Sequence, residues 1–264
     1  MHSSRLTWAA SLSLAGVFSL CFLSIAGAQR APTPSASLPP SQSSPQPPSV
    51  PSVQQSIPTA TQPRPPELRF VVLLDPAHGG TDNGAILGTA GVEKNYVLAL
   101  AVRLRALLNK HGIRTIVTRD GDNTLDTTAR AEIANRAHAA ACILLHASQT
   151  GNGVHLFTSS LPASAQPDPR RTFLPWQTAQ AAYGTQSLRL ESDVDAALTQ
   201  QHVPALLDKT SLMPLDSMAC PAVAIEIAPL DANTSLADAG YQQKILESLD
   251  AALVAWHSDW RAQP

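Results

Sequence analysis

From Leu68 onward the chain alternates unbroken apolar runs with segments of helical period, and this alternation limits the folds open to it. "LRFVVLLD", Leu68 to Asp75, is a continuous apolar run closed by a turn signal, the pattern of a strand buried on both faces. "EKNYVLALAVRLRALLNKHG" follows, with Val97, Leu100, Ala101, Leu104, Leu107 and Leu108 at helical spacing and Gly112 as a C-cap. "IRTIVTR" is the second strand. "TTARAEIANRAHAA" is the second helix, with Ile133 and several alanines packing inward. "ACILLHAS" and "GVHLFTSS" are the third and fourth strands. A loop rich in Pro and Arg is expected at 161–172, then a helical region from Pro175 to Gln201, bent or broken at Gly184. "VPALLDKTSLMPLDSM" is ambiguous and reads as short strand and loop. "AVAIEIA" is a strand. "SLADAGYQQKILESLDAALVAWHSDW" is a closing helix with Ser235 as its N-cap and Leu236, Tyr241, Ile245, Leu249, Leu253 and Trp256 near one face. Strands alternating with helices predict an α/β fold: a single domain with a mainly parallel twisted sheet flanked by helices on both faces.

The rest of the 264-residue chain is of another character. Residues 1–28 read as a secretory signal peptide: Arg5, then "WAASLSLAGVFSLCFLSIA", then small residues at Ala26 and Ala28 before Gln29. The competing reading is an uncleaved membrane anchor over 7–28, since that stretch approaches the roughly 20 residues that span a bilayer. A lipidated Cys21 is the weakest reading, because Leu20 is not the small residue expected before it. Residues 29–66 hold more than half of the chain's 22 prolines among Ser, Gln, Thr and Ala. Such a segment buries too little apolar surface to offset its ordering entropy, so a disordered, polyproline-biased tether is expected. Residues 67–262 are left as one domain with a real core.

A net charge of -2 without a basic stripe argues against nucleic acid as a partner. Three cysteines, one of them in the leader, do not make a disulfide-dense scaffold. Cys142 and Cys220 can pair in an oxidising compartment, but two buried thiols are the preferred reading.

In open parallel sheets, sites gather at the carboxyl ends of the strands. The first strand ends in His78, the third in His146, and "VAIEIA" contains Glu226. Glu93 opens the helix after the first strand. Two imidazoles and two carboxylates can therefore meet at one edge. A catalytic zinc takes three N/O ligands and keeps a further position for water, and a second carboxylate suits the general base. Each residue also has a plainer reading. His78 can be a turn histidine beside Gly79 and Gly80, Glu93 a charge favoured at a helix N-terminus, and His146 a satisfied core histidine. Glu226 is the least plain, because a carboxylate between Ile225 and Ile227 is costly to bury unless paired, protonated or near a metal. There is no short HExxH motif, and spacing alone does not decide between these readings.

"VVLLDPAHGGTDNGA", "EKNYVLALAVRLRALL", "IVTRDGD", "ARAEIANRAHA", "ILLHAS" and "PAVAIEIA" together resemble the zinc-dependent N-acetylmuramoyl-L-alanine amidases of the family 3 type, hydrolases of bacterial peptidoglycan. The resemblance runs in order from Leu68 to about Trp256. It implies that His78, Glu93 and His146 bind one zinc ion and that Glu226 is the catalytic glutamate. It implies cleavage of the amide between the lactyl group of N-acetylmuramic acid and L-alanine, with peptidoglycan glycan strands and stem peptides as partners; the alternatives are a zinc peptidase acting on stem peptides and a catalytically weak wall-binding homologue. Asp75 and Asp82 match the family's turn, as residues that steady the turn or a ligand histidine, and Arg130 matches an arginine expected in a structural salt bridge. An exported, monomeric enzyme of the periplasm or cell envelope is expected, and an unidentified envelope activator is left open.

The chain departs from the family at several points. Ala77 stands where Gly is usual, and Ser148 where Asn is usual after the third-strand histidine and alanine. Ile227, Ala228 and Pro229 replace a small residue followed by Gly-Phe. Ser148 and Ala228 are expected on the substrate lip. His111, His138, His155 and His202 are expected outside the metal site. The span 161–201 is where a cover over the zinc would be sought.

Overall fold

A computed structural model of the protein describes residues 70–163, 176–231 and 233–262. The expected leader and tether, and most of the 161–172 loop, lie outside them. The strands are β1 (Val71–Pro76), β2 (Arg114–Val117), β3 (Ala141–Ala147), β4 (Val154–Ser159), β5 (Ala205–Thr210) and β6 (Ala222–Ile227). The helices are α1 (Glu93–Lys110), α2 (Thr127–Ala137), α3 (Gly184–Gln200) and α4 (Ala239–Ala262). One six-stranded sheet has the order β2-β1-β3-β6-β4-β5. All neighbours are parallel except β4 and β6, which run antiparallel. The fold is the mainly parallel α/β domain that the alternation predicts.

Alternate side chains of the central strands feed two cores, as the two-residue period of a strand requires. Val72, Leu74, Ile143, Leu145, Val223 and Ile225 pack with α1, α3 and α4 on one face. Leu73, Leu144 and Ala224 pack on the other face with Ala131 and Ala134 of α2 and with Leu215 and Met218. The apolar stripe of α4 is buried as expected. In α1, Leu107 is only partly buried while the rest of its stripe is in the core.

Local expectations change in three places. The helical region after Pro175 is a short 3-10 segment, Trp176–Ala182, followed by α3, which Gly184 opens. The ambiguous stretch after Val203 supplies a full edge strand, β5. Ser235 does not cap α4: the Asp238 carboxylate accepts from the Tyr241 N–H at 2.6 Å, while the Ser235 hydroxyl accepts from Ala237 in the preceding turn.

The expectation of two buried thiols is corrected, because Cys142 and Cys220 form a disulfide across 78 residues. The cause is strand register. Cys142 of β3 lies opposite Ala222 of β6, and its N–H donates to Pro221 O at 2.8 Å. Cys220, just before β6, is thereby brought alongside Cys142 in the core on the α2 side.

Candidate metal centre

The site starts with the turn that ends β1. Asp75 is buried and accepts from Thr118 Oγ1 at 2.5 Å and from Arg130 Nη1 at 2.7 Å. Arg130 also donates to Pro76 O and His78 O. Arg119 donates to the carbonyls of Pro76, Ala77 and Lys94, and Lys94 Nζ donates to Gly80 O and Asp122. Carbonyls that leave a sheet edge need partners, and here buried guanidinium and ammonium groups supply them. The clamp holds a sharp reversal: φ is 60° at His78, 128° at Gly79 and 62° at Gly80. For a residue with a Cβ that left-handed conformation costs roughly 1–2 kcal/mol. Ala77 is not among the non-glycine residues with positive φ, so its methyl adds no such strain.

The reversal aims the His78 ring at Glu93, the first residue of α1. Glu93 is 4% exposed. Its Oε2 lies 3.0 Å from His78 Nε2, and its Oε1 lies 3.2 Å from His146 Nδ1 at the end of β3. The same carboxylate accepts from the N–H groups of Ala85 and Ala147. His78 Nδ1 pairs with Asp82 Oδ2 at 2.7 Å. Only a glycine fits at position 84, where a Cβ would lie 2.5 Å from Glu93 Oε2 and 2.6 Å from His78 Cδ2.

One ligand atom from each of His78, Glu93 and His146 lies within 4.8 Å of the others. Burial alone would push the Glu93 carboxyl up. Hydrogen bonds with His146, His78 and the two backbone N–H groups outweigh it and hold the group far below the ordinary carboxylate range. His78 is raised, first by its hydrogen bond to Glu93, with burial opposing and Asp82 adding. An ionised carboxylate with two imidazoles is the donor set of a divalent metal site. An Asp82 carboxylate on Nδ1 fixes the tautomer whose Nε2 lone pair faces the cluster. The residues fit a metal ion.

Glu226 stands beside this cluster. It is the register partner of His146 across β3 and β6 and of His155 across β6 and β4. Register partners point to the same face, so His146, Glu226 and His155 form a row over three strands. His155 therefore lies beside Glu226 although it is not in the metal cluster. A cavity of about 430 Å³ opens on His78, Asp82 and His146, and one of about 250 Å³ on His146 and Glu226. No described residue of 161–201 lines either of them.

Asp75 hydrogen-bonds Thr118 and Arg130 rather than an imidazole, which binds it into the turn clamp. Ser148 Oγ accepts from the Thr150 N–H and pairs with the Thr150 hydroxyl. Ala228, expected on the lip, is 1% exposed, and its carbonyl accepts from Tyr241 OH. Pro229 next to it lines an open groove instead. Sequence reasoning missed Arg119, Lys94, Asp122 and Gly84. Arg119, directly before the "DGD" turn, was the available signal, since a cation at a strand end faces exposed carbonyls.

The sequence pattern of one family, described as N-acetylmuramoyl-L-alanine amidase, matches residues 72–255. AmiA of Escherichia coli (strain K12) is 44% identical over 77 residues, which is 29% of this chain and 27% of AmiA. AmiC of Escherichia coli O6:H1 is 34% identical over 97 residues, 36% of this chain and 22% of that protein. The chain thus matches well under a third of the length of these relatives. The catalytic domain of the amidase CwlV from Bacillus (Paenibacillus) polymyxa var. colistinus superposes with a TM-score of 0.57 at 18% identity, over 72% of this chain and 98% of that one. AmiC2 of Nostoc punctiforme gives 0.56 at 22% identity, over 72% and 97%. At such identities the superpositions speak for the fold alone. The sequence match extends over most of the chain, including the β1 turn, the start of α1 and the ends of β3 and β6, and by it the chain belongs to the N-acetylmuramoyl-L-alanine amidase family.

Proposed function

We propose that the chain is a zinc-dependent hydrolase that cleaves the amide between the lactyl group of N-acetylmuramic acid and the L-alanine of the stem peptide in bacterial peptidoglycan. The observation that carries this reading is the convergence of His78, Glu93 and His146 within 4.8 Å, with Glu226 as the register partner of His146. In this reading His78 Nε2, His146 Nδ1 and a Glu93 oxygen hold the zinc. When bound, zinc lowers the pKa of water toward about 7 and polarises the amide carbonyl.

The residues of the chain do the rest. Glu226 takes a proton from the attacking water onto its carboxylate and returns it to the nitrogen of the departing L-alanine, which leaves as a neutral amine. Its half-buried position at a cavity shared with His146 keeps it within reach of the reacting amide. Asp82 fixes the His78 tautomer. Arg119, Arg130 and Lys94 hold the turn that aims the ring.

The reading includes export, with residues 1–28 as leader and 29–66 as a tether that gives the domain reach. The Cys142–Cys220 disulfide supports an oxidising compartment. Among the described residues no helix is long and apolar enough to cross a membrane. Digestion of purified muropeptides tests the bond assignment. The expected products are stem peptides with a free L-alanine amino end and glycan without peptide; stems that are merely shortened would overturn the reading.

A further inference from the structure

A groove of about 740 Å³, larger than the two cavities that open on His146, lies outside the proposed chemistry. Its walls are the three loops that leave the site. Thr89 comes from the loop leading into α1, Gln149, Thr150 and Asn152 follow His146, and Asn233 and Thr234 follow Glu226. Thr89 Oγ1 and Ser235 Oγ lie 2.9 Å apart and clasp two of these loops together. Leu87, 1% exposed, supplies apolar surface at the base of the wall.

The chemistry of the wall is selective. Apart from Asp231, the polar side chains among the described residues that line it are amides and hydroxyls, each able to donate and accept. No lysine or arginine is among the described residues that line it. The one carboxylate among those described residues, Asp231, takes the Asn233 N–H at 2.8 Å and the Thr234 hydroxyl at 2.9 Å on its Oδ1; these bonds favour its ionised form, so it repels an anionic ligand. A stem peptide carries carboxylates, which call for cationic partners. A wall with no described cation, one carboxylate and otherwise neutral donors and acceptors matches neutral sugars with hydroxyl and N-acetyl groups.

We propose that this groove binds the glycan strand, namely the N-acetylated sugars flanking the muramic acid whose amide is cut. The proposal rests on the amidase reading and adds which half of the substrate this surface recognises. The stem peptide is left to the cavities that open on His146. With no aromatic ring among the described residues of its wall, the groove gains affinity through many neutral hydrogen bonds along a strand, so its effect grows with strand length.

The test compares kcat/KM on a glycan oligomer bearing stem peptides with kcat/KM on a muramoyl peptide of a single sugar. The wild-type chain is expected to prefer the oligomer. Asn152→Ala, and separately Gln149→Ala, are expected to lower that preference about three- to tenfold, the scale of one or two neutral hydrogen bonds. In parallel, chitotetraose is titrated into the isotope-labelled chain and should shift backbone amides of 149–152 and 233–235. No preference in the wild type, or an equal loss on both substrates in both variants, overturns the proposal. If neither substrate is cut, the amidase reading fails, and the chitotetraose shifts then decide the groove by themselves: their absence removes it.

Discussion

Glu226 and His155 face each other as register partners because β4 runs antiparallel to β6. The start of β4 therefore lies at the same edge as the end of β6. Directly opposite residues in such a pair hold their Cβ atoms about 4.5–5.5 Å apart. On its other side Glu226 pairs with His146. The proposed base thus stands between an imidazole of the metal cluster and one that takes no part in it.

Glu226→Gln keeps the shape and removes the proton acceptor. Hydrolysis is expected to fall by about 10²–10⁴, the range of general acid–base catalysis. Zinc content, measured on the same protein by elemental analysis, is expected to match the wild type. A clearing band of undiminished strength in cell-wall zymography would contradict the assignment.

Chelation is expected to abolish hydrolysis, and added zinc to restore it. Asp82→Asn weakens the partner of His78 Nδ1, and zinc affinity is expected to drop about 10–100-fold. A competition titration with a chromophoric chelator reads this directly, and an unchanged affinity would remove Asp82 from the role.

Gly84→Ala would place a methyl 2.5 Å from Glu93 Oε2, at a φ of 64°. Neither the backbone nor the cluster accommodates that without moving. Zinc affinity is expected to fall at least about tenfold, on the scale of disturbing a ligand's supporting contacts. The same titration checks it.

The domain was legible in outline because unbroken apolar runs and helical stripes carry their own periodicity. His78, Glu93, His146 and Glu226 were legible as strand-end and helix-start residues, and the family resemblance joined them. The clamp of Arg119, Lys94 and Asp122 was not, because it joins the turn after β1, the start of α1 and the loop after β2, and even Arg119 before its turn does not say which carbonyls it meets.

Breaking the disulfide is expected to destabilise the domain. A loop of 78 residues corresponds to about 4.5 kcal/mol of chain entropy in the unfolded state. The Cys142→Ala/Cys220→Ala double variant, compared with the oxidised wild type by urea unfolding, measures it. A loss below about 1 kcal/mol would mean that the bridge adds little.

Glu191 of α3 is buried, and its Oε1 has no hydrogen-bond partner. Burial raises its carboxyl to about 7 from 4.5; Lys209 pulls it down, and Asp195 and Asp208 push it further up. Between those two values the unfolded chain releases a proton that the folded chain keeps. Stability contributed by this group is therefore present below 4.5, lost as pH rises, and gone above about 7. Glu191→Gln is expected to gain up to about 3 kcal/mol at pH ~8 and little at pH ~4, at about 1.4 kcal/mol per pH unit. Urea unfolding at the two pH values checks the difference.

By itself the sequence determined the kinds of element, their order and the residues able to do chemistry, since periodicity and residue type are properties of short stretches. The tertiary structure decided which strands are neighbours and in what register. Pairing of β3 with β6 sets Cys142 against Cys220 and His146 against Glu226, and reversal of β4 brings His155 to the same edge. Those relations join residues far apart in the chain, and they arise only when both faces of the sheet are buried together.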